Sequence, residues 1–181
     1  MVVGIVVGVV VVLLILWYVG TYNGIKVSKL KVEEALSGID VALTKRYDVL
    51  VKMVDVVKGY QKHEKELLME IVNLRSGMSM KERNQANQKM NEIAGQIRIL
   101  AENYPELKSS NSFIELQKTI VDVEEHLQAA RRLYNANVTE YNKRIITFPN
   151  SIVANIMNAG KEMFFAADEA KRADVKMNFH A

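Results

Sequence analysis

The feature that most constrains this chain is its first twenty residues, MVVGIVVGVVVVLLILWYVG, in which Val2 to Val19 form a near-continuous apolar run. About 20 apolar residues wound as a helix cover the ~30 Å hydrocarbon layer of a bilayer. In lipid the backbone finds no water, so a single segment there is helical. Trp17, Tyr18 and Tyr22 suit the aromatic belt at the membrane–water boundary. A cleaved signal peptide fits poorly: the run has no basic leader, its core is long, and Gly20-Thr21 is not a small-x-small cleavage site. With no cysteine in the chain, a lipid-modified amino terminus is excluded. The expectation is an uncleaved single-span anchor over residues 1–21, with residues 2–19 in contact with lipid. Lys26, Lys29 and Lys31 come directly after the run, so the positive-inside tendency places the C-terminal bulk of the chain in the cytoplasm, at the plasma (inner) membrane.

Beyond the anchor the pattern is helical throughout. All 24 basic and 21 acidic side chains lie after Ile25, and the net charge of +3 is spread thinly. Two prolines and nine glycines are too few for a hairpin-rich strand protein. From Tyr22 to Leu74 the apolar positions repeat every seven residues: Ile25, Val32, Ile39, Arg46, Met53, Tyr60, Leu67, Leu74 on one seam, and Leu36, Leu43, Leu50, Val57, Glu64, Ile71 on another. Such a repeat means helices packed side by side with a left-handed wrap. Arg46 and Glu64 interrupt it and are read as seam-edge residues with packed stems and solvated heads; the other reading is a buried pairing with a neighbouring helix. Ser76-Gly77 breaks this helix, and Ser79-Met80-Lys81-Glu82 has the capping-box form that opens the next. Tyr104-Pro105 stops the second helix, Lys108 to Asn111 reads as a loop, and Ser112-Phe113-Ile114-Glu115 as a further capping box. The third helix carries Phe113, Ile120, Leu127, Tyr134, Tyr141 and Phe148 on one seam and Leu116, Val123, Ala130, Asn137 and Arg144 on its companion.

The expected fold is therefore all-α: a transmembrane helix followed by a long-helix antiparallel bundle of three to four helices with coiled-coil-like packing. The bundle occupies residues 22–173, with helices at about 22–75, 79–103, 112–147 and 150–172, and residues 174–181 form a tail. At 1.5 Å per residue the first three of these helices span ~80, ~37 and ~54 Å. With alternating directions, the returning helices cover mainly the far part of the first. Its near part, Tyr22 to Leu43, then keeps an apolar stripe around Leu36 and Ile39 for a second copy of the chain or a partner helix.

Residues able to carry chemistry are few. The lack of cysteine removes disulfides, thiolate metal sites and cysteine nucleophiles. His63-Glu64 starts like the helical zinc signature, but Leu67 stands where the second histidine is needed. Glu-x-x-His pairs for a di-iron bundle are missing, since Tyr60 and Val123 precede His63 and His126 by three. Glu124, Glu125 and His126 are consecutive on a helix and do not converge on one substrate. No glycine-rich phosphate loop is present, and the pairs Lys45-Arg46 and Arg131-Arg132 sit in mixed charge rather than in a nucleic-acid stripe. No cofactor, metal, nucleic acid or small-molecule substrate is expected. What stands out is a Tyr-Asn pair that occurs at Tyr22-Asn23, Tyr134-Asn135 and Tyr141-Asn142. A seam tyrosine with an asparagine beside it places a polar group at the bundle edge, for a bond to a neighbouring helix or for recognition. Arg131, Arg132, Tyr134, Asn135, Tyr141 and Asn142 are accordingly the candidate interaction residues, with Leu36 and Ile39.

Taken in order, these segments resemble the LemA family. The likeness begins at Tyr22-Asn23 and runs through Ile39-Asp40-Val41, Lys45-Arg46-Tyr47-Asp48-Val49-Leu50, Val57-Lys58-Gly59-Tyr60 and His63-Glu64. It resumes at Tyr104-Pro105-Glu106-Leu107-Lys108, Phe113-x-x-Leu116-Gln117, Ala130-Arg131-Arg132-Leu133-Tyr134-Asn135 and Tyr141-Asn142, and closes with Phe148-Pro149 and Asn178-Phe179. One departure is Val51-Lys52, where the family usually has Pro-Asn; without that proline the first helix is expected to be straighter. The resemblance implies a bacterial membrane-anchored helical bundle with no established enzymatic activity, and therefore no catalytic residues to carry over. Some family members bear a lipoprotein cysteine before the Tyr-Asn pair, which implies a bundle outside the cytoplasm and runs against the lysine count here. The expected role is a membrane-anchored scaffold or interaction protein. The alternative is a regulatory adaptor subunit of another membrane protein, such as a protease. An enzyme is disfavoured, because no nucleophile, base and stabiliser converge.

Overall fold

The computed structural model describes residues 1–60 and 77–165. Among these, every regular element is a helix: α1 (Val2–Tyr60), α2 (Met80–Asn103), α3 (Pro105–Lys108), α4 (Asn111–Ile146) and α5 (Asn150–Ile156). The all-helical bundle read from the pattern is thus the fold. The seam residues Leu67, Ile71 and Leu74, the pair His63-Glu64, the closing Asn178-Phe179 and the 174–181 tail lie outside the described residues.

The apolar run and the first bundle helix are one uninterrupted helix, α1. It carries no proline, and Gly20 and Gly24 sit within it without breaking it. The ends of the other helices follow local chemistry. Ser79 caps α2 with both halves of the capping box: its hydroxyl accepts from the Glu82 N–H at 3.3 Å, and the Glu82 carboxylate accepts from the Ser79 N–H at 2.7 Å. Gly77, just before it, takes a φ of 84°, which a side chain would strain.

At α4 the cap differs from the expected one. The Ser110 hydroxyl, not that of Ser112, accepts from the Phe113 N–H at 3.2 Å, so the helix starts at Asn111. Between α2 and α4 the chain makes one further turn, α3, with Pro105 in its first turn, where the missing N–H costs nothing, and Leu107 fully buried. α5 is also shorter than the helix expected over 150–172. Asn158 adopts φ 51°, its N–H bonds to the Asn155 carbonyl, and the Ala159 N–H reaches back to Ala154 at 2.9 Å. This is a Schellman ending with asparagine in the left-handed position, and it terminates the helix at Ile156.

The described chain forms two compact units. Unit 1 combines Met1–Gly38 with Ala130–Phe164. Before Ile25 almost every side chain of α1 is exposed; the part-covered ones are Trp17, Thr21 and Gly24. From Ile25 on, Ser28, Val32 and Ala35 close against the unit's interior, which also holds Tyr134, Val138, Tyr141, Ile145 and Val153. Here α1 and α4 are antiparallel: Arg144 donates to the Gly24 carbonyl at 2.8 Å, and the Asn137 amide donates to the Lys31 carbonyl at 3.1 Å. The near part of α1 therefore has an intrachain partner. The stripe that the length argument left open is covered, Leu36 being half-buried and Ile39 fully buried.

Unit 2 contains Ile39–Ala129 and Phe165. Its core is Ile39, Ala42, Leu43, Val49, Leu50, Met53, Val54 and Val57 of α1 with Ala86, Met90, Ile97, Ala101, Leu107, Phe113, Val123 and Leu127. Both expected seams of α1 are buried here, and Ala42 and Val49 add a third stripe, as a helix needs when it is flanked by more than one neighbour. One pairing runs against simple alternation. Asp40 meets Arg83, and Arg46 meets Asn87 and Asn91, so positions on the two helices rise together and α2 is parallel to α1. A heptad seam reads the same in either direction, so the pattern could not show this.

Candidate interaction surface

The seam-breaking residue of α1 is the centre of unit 2's polar chemistry. Arg46 is 3 % exposed, not a solvated edge residue as expected. Its guanidinium donates to the side-chain carbonyl of Asn87 at 2.6 Å and to that of Asn91 at 2.5 Å, and forms an ion pair with Glu124 at 2.5 Å. The two terminal nitrogens carry these bonds, and they compensate a buried charge whose loss of partners would cost about 3–5 kcal/mol. Asn87 and Asn91 lie one turn apart on α2, which is the spacing that lets both face one cation. Their spacing was the signal for this site, unused because asparagine on a helix face is usually solvated. Nearby, Arg83 grips Asp40 in bidentate fashion at 2.6 and 2.8 Å and also donates to the Met78 carbonyl. An open cleft of about 560 Å³ adjoins Arg46, walled by Leu50, Met53, Ile97, Phe113 and Ile120 with Arg98 and Glu124 at its polar side.

In unit 1 the Tyr-Asn pairs act on the segment that follows α5. The Tyr134 hydroxyl donates to the Met163 carbonyl at 2.8 Å. The Asn142 amide bonds Glu162 twice, donating to its carbonyl at 2.9 Å and accepting from its N–H at 2.8 Å. Lys29 forms an ion pair with the Glu162 carboxylate and stands over the Tyr141 ring at 5.6 Å. Burial pulls the Lys29 ammonium down, but the Glu162 hydrogen bond and charge outweigh it, so the lysine is held above its usual range. Burial pushes the Tyr141 phenol up, against the opposing pull of Lys29. These groups border a recess of about 270 Å³ between Ile25, Lys26, Lys29 and Tyr141 on one side and residues 157–162 on the other.

Of the residues singled out from sequence, Tyr134 and Tyr141 are interior, Arg131 is 9 % exposed, and Asn135 and Asn142 are half-buried, while Arg132 faces solvent. The structure brings Tyr134, Tyr141 and Asn142 together around the 157–163 segment. Ile39 belongs to unit 2's core. Tyr22-Asn23 differs from the other two pairs: both residues are exposed, and Tyr22 stacks on Tyr18 with centroids 6.3 Å apart and lies under Lys26. Among the described residues no three His, Asp or Glu side chains gather where they could hold a metal ion. Lys29, Glu162, Arg144 and Glu124 were missed, because each acquires its role only from a partner distant in the chain.

A helical bundle grown directly from a long apolar helix, with its polar side chains used to tie one segment to another, defines an all-α protein whose leading helix is a candidate membrane anchor. The family model of the LemA family matches residues 35–179. A curated relative, Protein LemA of Metamycoplasma hominis, is 31 % identical over 163 residues, which cover 87 % of this chain and 74 % of the relative. The chain belongs to the LemA family.

Proposed function

We propose that this LemA family member is a non-catalytic scaffold or interaction protein, anchored in the plasma membrane by the front of α1, with the bundle on the cytoplasmic side. The observation that carries the reading is the state of the apolar run: α1 is long and apolar enough to cross a membrane, and among the described residues none of its most apolar stretch is buried. Each uncovered Val, Leu or Ile forgoes about 1.5–3 kcal/mol of burial, a loss that lipid removes. The side assignment rests on Lys26, Lys29 and Lys31 next to the run. A scaffold role is supported by where the polar residues are used: Arg46, Arg83 and Asn142 bind other parts of the chain and hold it in shape. The test combines carbonate extraction with protease digestion of intact spheroplasts. The chain should stay with the membrane pellet, and the bundle should be cut only after lysis. Release of the intact chain by carbonate would overturn the anchor, and digestion from outside would reverse its sidedness.

A further inference from the structure

Where α4 gives way to α5, unit 1 turns an apolar corner outward. Ile146, Phe148, Ile152 and Ile156 are exposed, Phe148 to 77 % and Ile156 to 62 %. Ile152 and Ile156 lie one turn apart on the same face of α5. Its other face is closed by the buried Val153 and Ala154. The corner is thus packed inside and apolar outside.

Its level along α1 is set by two hydrogen bonds. Asn137 meets Lys31 and Arg144 meets Gly24, so seven residues forward on α4 match seven back on α1. Ile146, the last residue of α4, comes level with about Tyr22 on the 1.5 Å rise, and Phe148 follows it in the turn beyond the helix end. The exposure of α1 says the same independently. Trp17, Thr21 and Gly24 are part-covered while their neighbours are bare, and they continue the face that Ile25 and Ser28 bury against unit 1. The α4–α5 part of unit 1 therefore comes down toward the aromatic boundary of the apolar run. On the segments that meet here Lys26, Lys143 and Lys161 are exposed, while Lys29 and Arg144 already face Glu162 and Glu140, so the surplus charge beside the corner is basic. An apolar tip with a basic collar, level with an aromatic belt, matches the boundary of an anionic bilayer in both polarity and charge.

We propose that the α4–α5 corner is a second membrane contact, with Phe148, Ile152 and Ile156 seated among the acyl chains beside the span and the basic collar against anionic headgroups. This rests on α1 spanning the bilayer. One helix alone leaves a bundle free to swivel; two points of contact set the tilt and rotation of unit 1 on the membrane.

Because Trp17 is the sole tryptophan, the chain supplies its own control. The full-length protein is reconstituted in vesicles of mixed anionic and zwitterionic phospholipid carrying bromines high on one acyl chain, a position that quenches tryptophan at the boundary. The natural chain reports the span. Trp17→Phe/Phe148→Trp reports the corner, and Trp17→Phe/Leu133→Trp reports an exposed position of unit 1 more than three turns further from the span. The reporter at position 148 should lose most of its emission to the lipid bromines and resist aqueous iodide, and the one at 133 should do the reverse. If position 148 ignores the bromines while Trp17 is quenched, the proposal is overturned: iodide quenching would then mean that the corner sits in water, and shielding from both that protein covers it. If Trp17 itself ignores the bromines, the span is refuted and this proposal falls with it.

Discussion

The side-chain amide of Asn142 exchanges two hydrogen bonds with the backbone of Glu162, accepting from its N–H at 2.8 Å and donating to its carbonyl at 2.9 Å. With Tyr134 bound to Met163, this pair replaces the helix that α5 fails to continue: an extended segment has no internal hydrogen bonds, so its backbone groups are met by α4. Asn142→Ala leaves both Glu162 groups to find water at a half-buried site, at a cost of about 1–3 kcal/mol. The expected readouts are a lower urea midpoint and faster hydrogen exchange at the Glu162 amide. Asn142→Asp keeps the acceptor and should lose less protection at that amide.

Arg46 and Glu124 differ in burial, with side chains 4 % and 36 % exposed, and this predicts unequal mutational costs. Arg46→Ala removes a packed stem and takes the guanidinium away from Asn87, Asn91 and Glu124, and should cost about 3 kcal/mol or more. Glu124→Gln leaves the cation its two asparagine carbonyls and should cost about 1 kcal/mol. A double-mutant cycle on chemical unfolding measures the coupling; equal losses for the two single variants would contradict a buried arginine hub.

Stability should fall on the alkaline side. Lys29 and Tyr141 both hold their protons more tightly in the fold than their ordinary values of 10.5 and 10.0. In each case the unfolded chain releases its proton first, so the folded state binds more protons and stability declines as pH rises. The contribution is whole below pH 10.0 and is lost as pH climbs through and above 10.5. Urea midpoints taken from neutral pH to pH 11 (a range of about four units) should drop at the alkaline end, and Lys29→Met should flatten that drop without abolishing it, since Tyr141 remains.

Ser79→Ala removes one half of the capping box at the start of α2 and should cost about 1 kcal/mol, while Ser112→Ala, which the sequence pattern ranks equally, should cost little. Thermal unfolding of the two variants side by side checks this.

Much of the fold was legible because it is local. The apolar run, the Ser79 box and the Tyr104-Pro105 stop each depend on residues within a turn of one another. The tyrosine seam of α4 was also readable, since Phe113, Leu127, Tyr134 and Tyr141 are all buried; Ile120 is only half-buried beside the open cleft, and Phe148, past the helix end, turns outward. Arg46 was misread for a definite reason: a seam arginine is usually solvated, and the three residues that change this lie on two other helices.

Composition and short-range pattern settled that this chain is helical, where α2 starts and stops, and that its leading segment is strongly apolar, because propensity, capping and hydrophobic period act over a few residues. Only the tertiary structure decided that α2 runs parallel to α1, that the end of α4 descends as far as Gly24, and that Asn142 and Arg46 are structural ties. Those depend on register between segments far apart in the chain, and a seven-residue repeat carries neither direction nor partner.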